Sequence, residues 1–330
     1  MPFSSSLKIN SMHHIIANRA LGILKLFLGQ YPDKKKWALP ATICFSVPAL
    51  FYSEKKEIYF YDFSIDNSNL LEKKILLNCD GILAVDYYGT EKTDVCVFKK
   101  LKESGKIIIY DKCLSAPDFT INPELLNFID LVLFSTGDAK VVDLGYGGYG
   151  ISRVLLKPGK YNAEVTKNYL KLDKEWDIAF KSNLPIQINR LHENEWVDIS
   201  DNHIQTNYKQ GVKKLTGQIM VEKNKINAIY KAIIPPELIF TELSDVWRFN
   251  LLIKNRDFLL REIYFNKLFV GCHYADMSVH FNFRKKLNYS KFIEKHILNL
   301  YNDRYITPAQ AEKCAELIRI LYEQGRVGGV

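Results

Sequence analysis

The sequence lacks the usual features of secreted, membrane-spanning and zinc-binding proteins. None of its six cysteines belongs to a C-x-x-C pair, and most lie in apolar segments, so we expect reduced thiols rather than disulfides or a zinc site. It contains no run of about 18 or more apolar residues, which argues against a membrane-spanning helix. The opening segment MPFSSSLKIN has neither the apolar core nor the cleavage site of a signal peptide. Together these absences predict a cytoplasmic protein.

Composition and charge are those of an ordinary globular protein with a basic surface. The 330 residues are 47% hydrophobic and 25% charged, which suits two packed domains that share an interface. The formal net charge is +8, part of it in the cluster Lys34-Lys35-Lys36. Such a surface is either simply solvated or draws in anionic substrates. Because no basic-aromatic motif accompanies the charge, we do not expect nucleic-acid binding.

The first half of the chain alternates apolar strands with helical stretches. Residues 95–104 have helical spacing and end at Gly105, a residue typical of helix C-termini. Four apolar runs are predicted to be strands, at residues 57–63, 81–87, 106–111 and 130–135. Continuous apolar strands separated by helices predict a mainly parallel sheet covered on both faces. We therefore expect residues 1–165 to form a large α/β domain.

The second half has a different pattern and predicts a connector followed by a smaller α+β domain, over residues 166–330. We expect a strand at 151–156, an extended connector at 161–195 and a helix at 196–215. Further strands are expected at 226–234 and 245–254, and helices at 256–264, 291–297 and 307–324. The last helix is the clearest, because Thr307 is a cap residue, Pro308 opens the first turn and Gln310 completes a capping box.

Several polar side chains follow the ends of the predicted parallel strands, where open α/β sheets bind ligands. Tyr88 follows one strand, Asp111 ends the next, Ser135 ends a third, and Lys140 comes five residues later. Taken singly, each has an ordinary structural explanation as a packing, turn, cap or surface residue. Taken together, they meet the needs of pyridoxal phosphate: a lysine for the Schiff base, a carboxylate for the pyridine nitrogen and a hydroxyl for the phosphate.

These residues resemble a known family, the DegT-type sugar aminotransferases, which are fold type I pyridoxal-phosphate enzymes. In that family the Schiff-base lysine lies about thirty residues after the strand-end aspartate, and here 140 − 111 = 29. The family's serine precedes the lysine by five residues, as Ser135 does, and a Gly-Gly pair follows it, as Gly147-Gly148 does. The resemblance runs from about Arg19 to the C-terminus. It implies a mainly parallel central sheet flanked by helices, with a smaller C-terminal α+β domain.

The resemblance also implies roles for individual residues. Lys140 would be the Schiff-base lysine and the acid–base group of the proton shift, and Asp111 would pair with the pyridinium nitrogen. Ser135 would bind the phosphate, as would Arg19 and Ala20 at the position where the family has a small turn opening a helix. Tyr88 is counted among the cofactor contacts. Two other motifs that resemble the family, one around Trp247 and one around His273, are interpreted as structural.

Two departures from the family pattern concern the cofactor ring. Leu114 stands where the family usually has glutamine or histidine, and Cys44 stands where it usually has a stacking aromatic residue. A cysteine cannot stack as a ring would. Both residues are therefore counted as cofactor contacts that leave the reaction open. Gly145-x-Gly147-Gly148 lacks the full G-x-G-x-x-G spacing, so we do not expect an NAD-dependent enzyme.

The implied activity is transfer of an amino group from glutamate or glutamine to a keto group on a nucleotide-linked sugar. The first alternative is a lyase, dehydratase or substitution enzyme that uses the same cofactor on a small amino-acid-like substrate. The second is a relative that binds a ligand without catalysis, although the intact Lys140, Asp111 and Ser135 argue against it. The family forms homodimers with shared active sites. By resemblance, the partner subunit is expected to reach the phosphate from residues 184–195, where Asn189 and Arg190 are the candidates.

Overall fold

The chain forms two β-sheets surrounded by helices. The computed structural model describes residues 11–330 except positions 118, 120, 183, 187–190, 192–194, 244 and 284. Within that part of the chain, the larger sheet comprises β1 (His13–Ala17), β2 (Lys36–Pro40), β3 (Glu57–Tyr61), β4 (Gly81–Val85), β5 (Ile107–Asp111), β6 (Leu131–Ser135) and β7 (Gly148–Ser152). The smaller sheet comprises β8 (Phe249–Leu252), β9 (Val270–Gly271) and β10 (Ile297–Leu300).

The larger sheet is mixed but mainly parallel. Its strand order is β1-β7-β6-β5-β4-β2-β3, and the five strands β3, β2, β4, β5 and β6 run parallel to one another. Strand β7 runs antiparallel to β6, and β1 runs antiparallel to β7. The smaller sheet is antiparallel, with β10 between β8 and β9. This architecture confirms the fold class predicted from the sequence.

Helices cover both sheets. Those in the first part of the chain are α1 (Ala20–Gly29), α2 (Ser46–Ser53), α3 (Lys73–Asn78), α4 (Val95–Glu103), α5 (Pro123–Leu126) and α6 (Ala163–Lys181). Those in the second part are α7 (Tyr208–Ile233), α8 (Arg256–Phe265), α9 (Met277–His280), α10 (Asn288–His296) and α11 (Pro308–Glu323). Among the described residues, no helix is both long and apolar enough to cross a membrane.

The central strands are buried on both faces, as their continuous apolar sequences predict. Along β5, Ile107 and Ile109 pack into one hydrophobic cluster, while Ile108 and Tyr110 pack into another on the opposite face. Successive side chains of a strand point to opposite faces, so each strand of this kind needs apolar residues at every position. A third cluster lies between the smaller sheet and helices α7, α8 and α11.

Several local predictions are confirmed, and the capping of α11 is one of them. Thr307 accepts a hydrogen bond from the backbone N–H of Gln310, and the Gln310 side chain accepts one from the backbone N–H of Thr307. The strands predicted at 57–63, 81–87, 106–111 and 130–135 are present with shorter bounds, as is the helix predicted at 95–104. The strand predicted at 151–156 is displaced, because the Gly-rich segment itself forms most of β7.

The extended connector expected at 161–195 was a wrong prediction, because helix α6 occupies most of it. Asn162 caps the helix by accepting a hydrogen bond from the backbone N–H of Glu164 at 3.0 Å. Buried residues Val165, Leu172 and Ala179 recur at helical spacing along one face. Charged residues interrupt this apolar stripe, so the sequence alone predicts an irregular segment.

Helix α7 overturns two further predictions. The helix expected at 196–215 begins only at Tyr208, and the strand expected at 226–234 is the last part of the same 26-residue helix. The apolar run INAIY resembles a strand in isolation. However, it follows a helix without a break, and the first proline after Tyr208 is Pro235, just beyond the end of the helix.

Lys223 of α7 is a cation buried inside the protein. It is fully buried, and its ammonium group donates hydrogen bonds to the backbone carbonyl of Trp247 at 3.0 Å and to Asn302 Oδ1 at 2.6 Å. Burial, opposed by the nearby Asp303 and assisted by Arg248, lowers the pKa of Lys223 to about 7. An ordinary lysine in the unfolded chain has a pKa near 10.5. Between about pH 7 and pH 10.5, the lysine therefore binds more protons in the unfolded chain than in the native protein.

The first prediction concerns this difference in proton binding. Because the unfolded chain is the more protonated state, the contribution of Lys223 to the unfolding free energy rises with pH from about 7 upward. Lys223→Met should flatten the pH dependence of stability between about pH 7 and 9, by at most ~1.4 kcal/mol per pH unit. Urea unfolding at several pH values measures the unfolding free energy of each variant, with Lys225→Met, at an exposed lysine, as the control. A Lys223→Met profile parallel to the wild-type profile would contradict the prediction.

Candidate functional site

A cavity of about 440 Å³ lies at the carboxyl edge of the larger sheet. It is bordered by residues at or just beyond the ends of β4, β5 and β6, and by the beginning of α1. This is the edge at which parallel sheets bind ligands. Most of the predicted site residues line it, namely Arg19, Ala20, Cys44, Asp111, Leu114, Ser135 and Lys140.

Lys140 lies on the turn between β6 and β7. It is half-buried and lines the cavity. The preceding residue, Ala139, has a φ of 58°, in the left-handed region that a residue with a Cβ rarely adopts. Both backbone groups of Ala139 are hydrogen-bonded to side chains. Its N–H donates to Asp143 Oδ2 at 3.0 Å, and its carbonyl accepts from Trp247 Nε1 at 2.6 Å. The backbone beside Lys140 is thus fixed by one side chain of the same turn, Asp143, and by one distant in sequence, Trp247.

Asp111 is the last residue of β5, and its carboxylate faces the same cavity. Its Oδ1 accepts a hydrogen bond from the backbone N–H of Cys113 at 2.9 Å, which orients the carboxylate. Burial, and then the negative charge of Asp111, raise the pKa of the Cys113 thiol well above its ordinary value. Cys113 therefore stays protonated beside Asp111.

Arg19, Ser135 and Gly137 lie together and could bind an anion. Ser135 is buried, and its Oγ accepts a hydrogen bond from the backbone N–H of Gly137 at 3.2 Å. A Cβ on Gly137 would lie 3.2 Å from Arg19 Nη1 and 3.4 Å from Ser135 Oγ, so the glycine leaves this space free. Ala20 begins α1, and Arg19 makes no side-chain cap hydrogen bond to the first turn. A helix start of this kind attracts anions. Arg19 also pairs with Asp138 at 2.9 Å.

Gly147 and Gly148 allow the turn to return beside α1. Gly147 has a φ of 100°, a conformation that favours glycine. Gly148 lies so close to the start of α1 that a Cβ there would overlap the backbone nitrogen of Ala20. The Gly-Gly pair seen in the sequence therefore allows β7 to approach the start of α1, beside Arg19 and Ser135.

Asn18 stabilises the start of α1 through contacts that the sequence did not predict. Its buried side chain donates to Asp198 Oδ2 and Ser200 Oγ, each at 2.9 Å, and accepts from the backbone N–H of His203 at 3.0 Å. Burial alone would raise the pKa of Asp198, but the hydrogen bonds from Asn18 and Ser200 hold it below its ordinary value. Asp198 and His203 also line the cavity. Only the folded chain brings this loop to residue 18.

Three tyrosines that were not among the predicted site residues line the cavity, namely Tyr146, Tyr169 and Tyr274. Tyr169 comes from α6, and Tyr274 follows β9 with its ring nearly parallel to the indole of Trp247, at 6.2 Å between centroids. Burial, together with the nearby Cys44 thiol, raises the pKa of Tyr169 to about 12 and that of Tyr274 further still. Both phenols therefore remain protonated. The helical spacing of Val165, Tyr169 and Leu172 could have identified Tyr169.

The remaining predicted contacts fall into three groups. Cys44 and Leu114 line the cavity, and Cys44 Sγ lies 3.2 Å from Ser46 Oγ. Tyr88 is buried but is not among the described residues that line the cavity; its hydroxyl donates to the backbone carbonyl of His273. Tyr88 therefore packs behind the cavity wall. Asn189 and Arg190 lie outside the described residues.

Comparisons with known proteins give a fold rather than a sequence family. No family model matches the chain, and no curated protein matches it. Among solved structures, DesI, crystallised in the presence of its TDP-sugar product, has a TM-score of 0.69 at 12% identity, over 95% of this chain and 81% of that one.

Two further solved structures agree. A DegT/DnrJ/EryC1/StrS aminotransferase from Brucella abortus has a TM-score of 0.65 at 18% identity, over 94% of this chain and 86% of its own. A Streptococcus pneumoniae protein, Spr1654, described as a sugar aminotransferase and solved in its PLP form, has a TM-score of 0.66 at 13% identity, over 94% and 87%. At these identities the likeness establishes that the chain has the fold of these proteins.

The second prediction tests the close packing of Gly148. Gly148→Ala should destabilise the protein by about 1–3 kcal/mol, because the added methyl group must displace the start of α1. The control is Gly211→Ala, since a Cβ at this helical glycine would meet no atom within 4 Å and alanine favours helix. Thermal unfolding measures both variants. A Gly148→Ala variant as stable as the wild type would show that the two segments are not tightly packed.

Proposed function

We propose that this chain is a pyridoxal-phosphate-dependent aminotransferase of the DegT type. It would move an amino group from glutamate or glutamine to a keto group, carried on a nucleotide-linked sugar. One observation carries the proposal: a single cavity at the carboxyl edge of the sheet is lined by Lys140, Asp111, Ser135 and the start of α1. The fold shared with solved sugar aminotransferases supports it.

The residues around the cavity fit pyridoxal phosphate. Its phosphate needs hydroxyl, backbone N–H and cationic groups, and Ser135, the first turn of α1 and Arg19 supply them. Gly137 leaves the space between Arg19 and Ser135 clear of side-chain atoms. The ring nitrogen of pyridoxal phosphate needs a carboxylate, which Asp111 supplies, and the aldehyde of the cofactor needs an amine, which Lys140 supplies.

When bound, pyridoxal phosphate supplies an electron-withdrawing ring that stabilises the negative charge left when a proton leaves the substrate carbon. Lys140 Nζ would hold the cofactor and, once displaced by the amine of the substrate, would carry the proton removed from the substrate carbon. Asp111 would keep a proton on the ring nitrogen, which would maintain the electron-withdrawing character of the ring. The hydrogen bond from Cys113 N–H fixes the direction of that carboxylate.

The proposal also specifies the acceptor of the amino group, a nucleotide-linked sugar. DesI, a structural neighbour, was crystallised with a TDP-sugar product. The net charge of +8 suits a diphosphate-bearing substrate. Leu114 and Cys44 keep the alternative of a lyase, dehydratase or substitution enzyme open to test, although the named neighbours do not favour it.

We further propose that the protein acts in the cytoplasm as a homodimer with shared active sites. Free thiols at all six cysteines suit a reducing compartment. Helix α6 leaves Leu170, Ile178 and Phe180 exposed, by 54%, 64% and 44% respectively. Several exposed apolar residues on one helix are typical of a protein interface. This helix also leads into the segment from which the partner is expected to reach the phosphate.

The third prediction tests amino transfer. Purified protein loaded with pyridoxal phosphate should lose its visible absorption band when glutamate or glutamine is added, as the cofactor becomes pyridoxamine phosphate and the corresponding keto acid appears. Lys140→Ala should abolish both changes, whereas Lys157→Ala, at an exposed lysine outside the cavity, should not. Stable binding of the cofactor without conversion by any amino donor would overturn the aminotransferase and favour the alternative.

The fourth prediction concerns the homodimer. Sedimentation should give about twice the 38.2 kDa of one chain. Ile178→Asp should weaken the dimer at least tenfold, because it places a charge within the proposed apolar interface. Phe265→Asp, at the 86% exposed end of α8, is the control and should leave the dimer unchanged. A monomer at every concentration would contradict the proposal.

A further inference from the structure

Trp247 connects the smaller sheet to the turn that carries Lys140. It lies two residues before β8 and is almost fully buried, with 2% of its surface exposed. Its indole Nε1 donates a hydrogen bond to the backbone carbonyl of Ala139 at 2.6 Å. Ala139 directly precedes Lys140, so this bond acts on the peptide group that joins the two residues.

The backbone at Ala139 needs such support. Its φ of 58° is unfavourable for a residue with a Cβ, and an unsupported chain would tend to leave this conformation. The N–H of Ala139 is held by Asp143 Oδ2 at 3.0 Å, and its carbonyl by Trp247. Asp143 lies on the same turn as Lys140, whereas Trp247 lies more than a hundred residues away. Trp247 therefore ties the turn to the smaller sheet.

Trp247 is itself firmly held. Its backbone carbonyl accepts a hydrogen bond from the buried Lys223 at 3.0 Å, and Lys223 also donates to Asn302 Oδ1 at 2.6 Å. Asn302 in turn donates to the backbone carbonyl of Asp245 at 2.7 Å. The indole packs almost parallel to the ring of Tyr274, which lines the cavity. A side chain fixed on several sides can impose its position on its hydrogen-bond partner.

We propose that Trp247 is a positioning residue for Lys140. By holding the Ala139 carbonyl, its indole N–H keeps the turn in the conformation that presents the Lys140 amine to the cavity. The inference rests on the proposed function in taking Lys140 as the reacting amine. It assigns a specific role to a residue that the sequence identified only as part of a structural motif.

The fifth prediction tests the indole N–H itself. Trp247→Phe keeps a buried aromatic ring but removes the donor, so the turn should loosen. Lys140 should then be acetylated by acetic anhydride at least three times faster, relative to the other lysines, in protein freed of cofactor. Peptide mass analysis measures the rates. Trp37→Phe is the matched control, because Trp37 is also buried and its Nε1 donates to the backbone carbonyl of Lys34 at 3.1 Å, outside the cavity.

Equal Lys140 acetylation in Trp247→Phe and the wild type would overturn the inference, even if the variant were less stable. So would an equal increase in Trp37→Phe. If Trp247→Phe does not fold, benzothienylalanine at position 247 replaces only the indole N–H with sulfur, and the same comparison applies. The measurement needs no cofactor or amino donor. A failure of the proposed aminotransferase function would therefore be seen in the spectral experiment, independently of this result.

Discussion

The parallel pairing of β4, β5 and β6 fixes the position of almost every residue discussed above. Asp111 is paired with Val85 on one side and with Leu133 on the other, so the three strands end at the same edge of the sheet. Ser135 lies at that edge, and the next turn carries Lys140. A shift in this register would move the carboxylate, the hydroxyl and the amine apart, and no local contact could compensate.

The antiparallel return of the chain completes the site. Gly148 is paired with Ser135, and its missing side chain lets Ala20 approach from α1. The beginning of α1 is held from the other direction by Asn18 and its contacts with Asp198 and Ser200. The relative positions of Arg19 and Ser135 are thus determined by three segments that are far apart in sequence. By contrast, Leu114 and Cys44 contribute less polar atoms to the cavity wall.

Much of the larger sheet could be predicted from the sequence, because doubly buried strands must be apolar at every position. The association of Lys140 with Asp111 and Ser135 could also be predicted, since strand ends of a parallel sheet share an edge. Helix α6 was missed because charged residues separate its apolar stripe. The expected domain boundary at residue 165 lies within that helix and stays a prediction.

Long-range contacts were beyond the reach of sequence patterns. The INAIY run in α7 has the composition of a strand, and only its continuity with the preceding helix decides its conformation. The hydrogen bond between Trp247 and Ala139 joins positions 108 residues apart, and no periodicity reports it. The same holds for the contact of Tyr88 with the His273 carbonyl, which places Tyr88 behind the cavity wall rather than on it.

The most direct test of the account is to identify the lysine that binds pyridoxal phosphate. Borohydride reduction of the protein loaded with the cofactor makes the bond to lysine permanent, and peptide mass analysis then locates it. The account predicts one added phosphopyridoxyl group, on the peptide that contains Lys140. A group attached to another lysine, or no attachment at all, would contradict it.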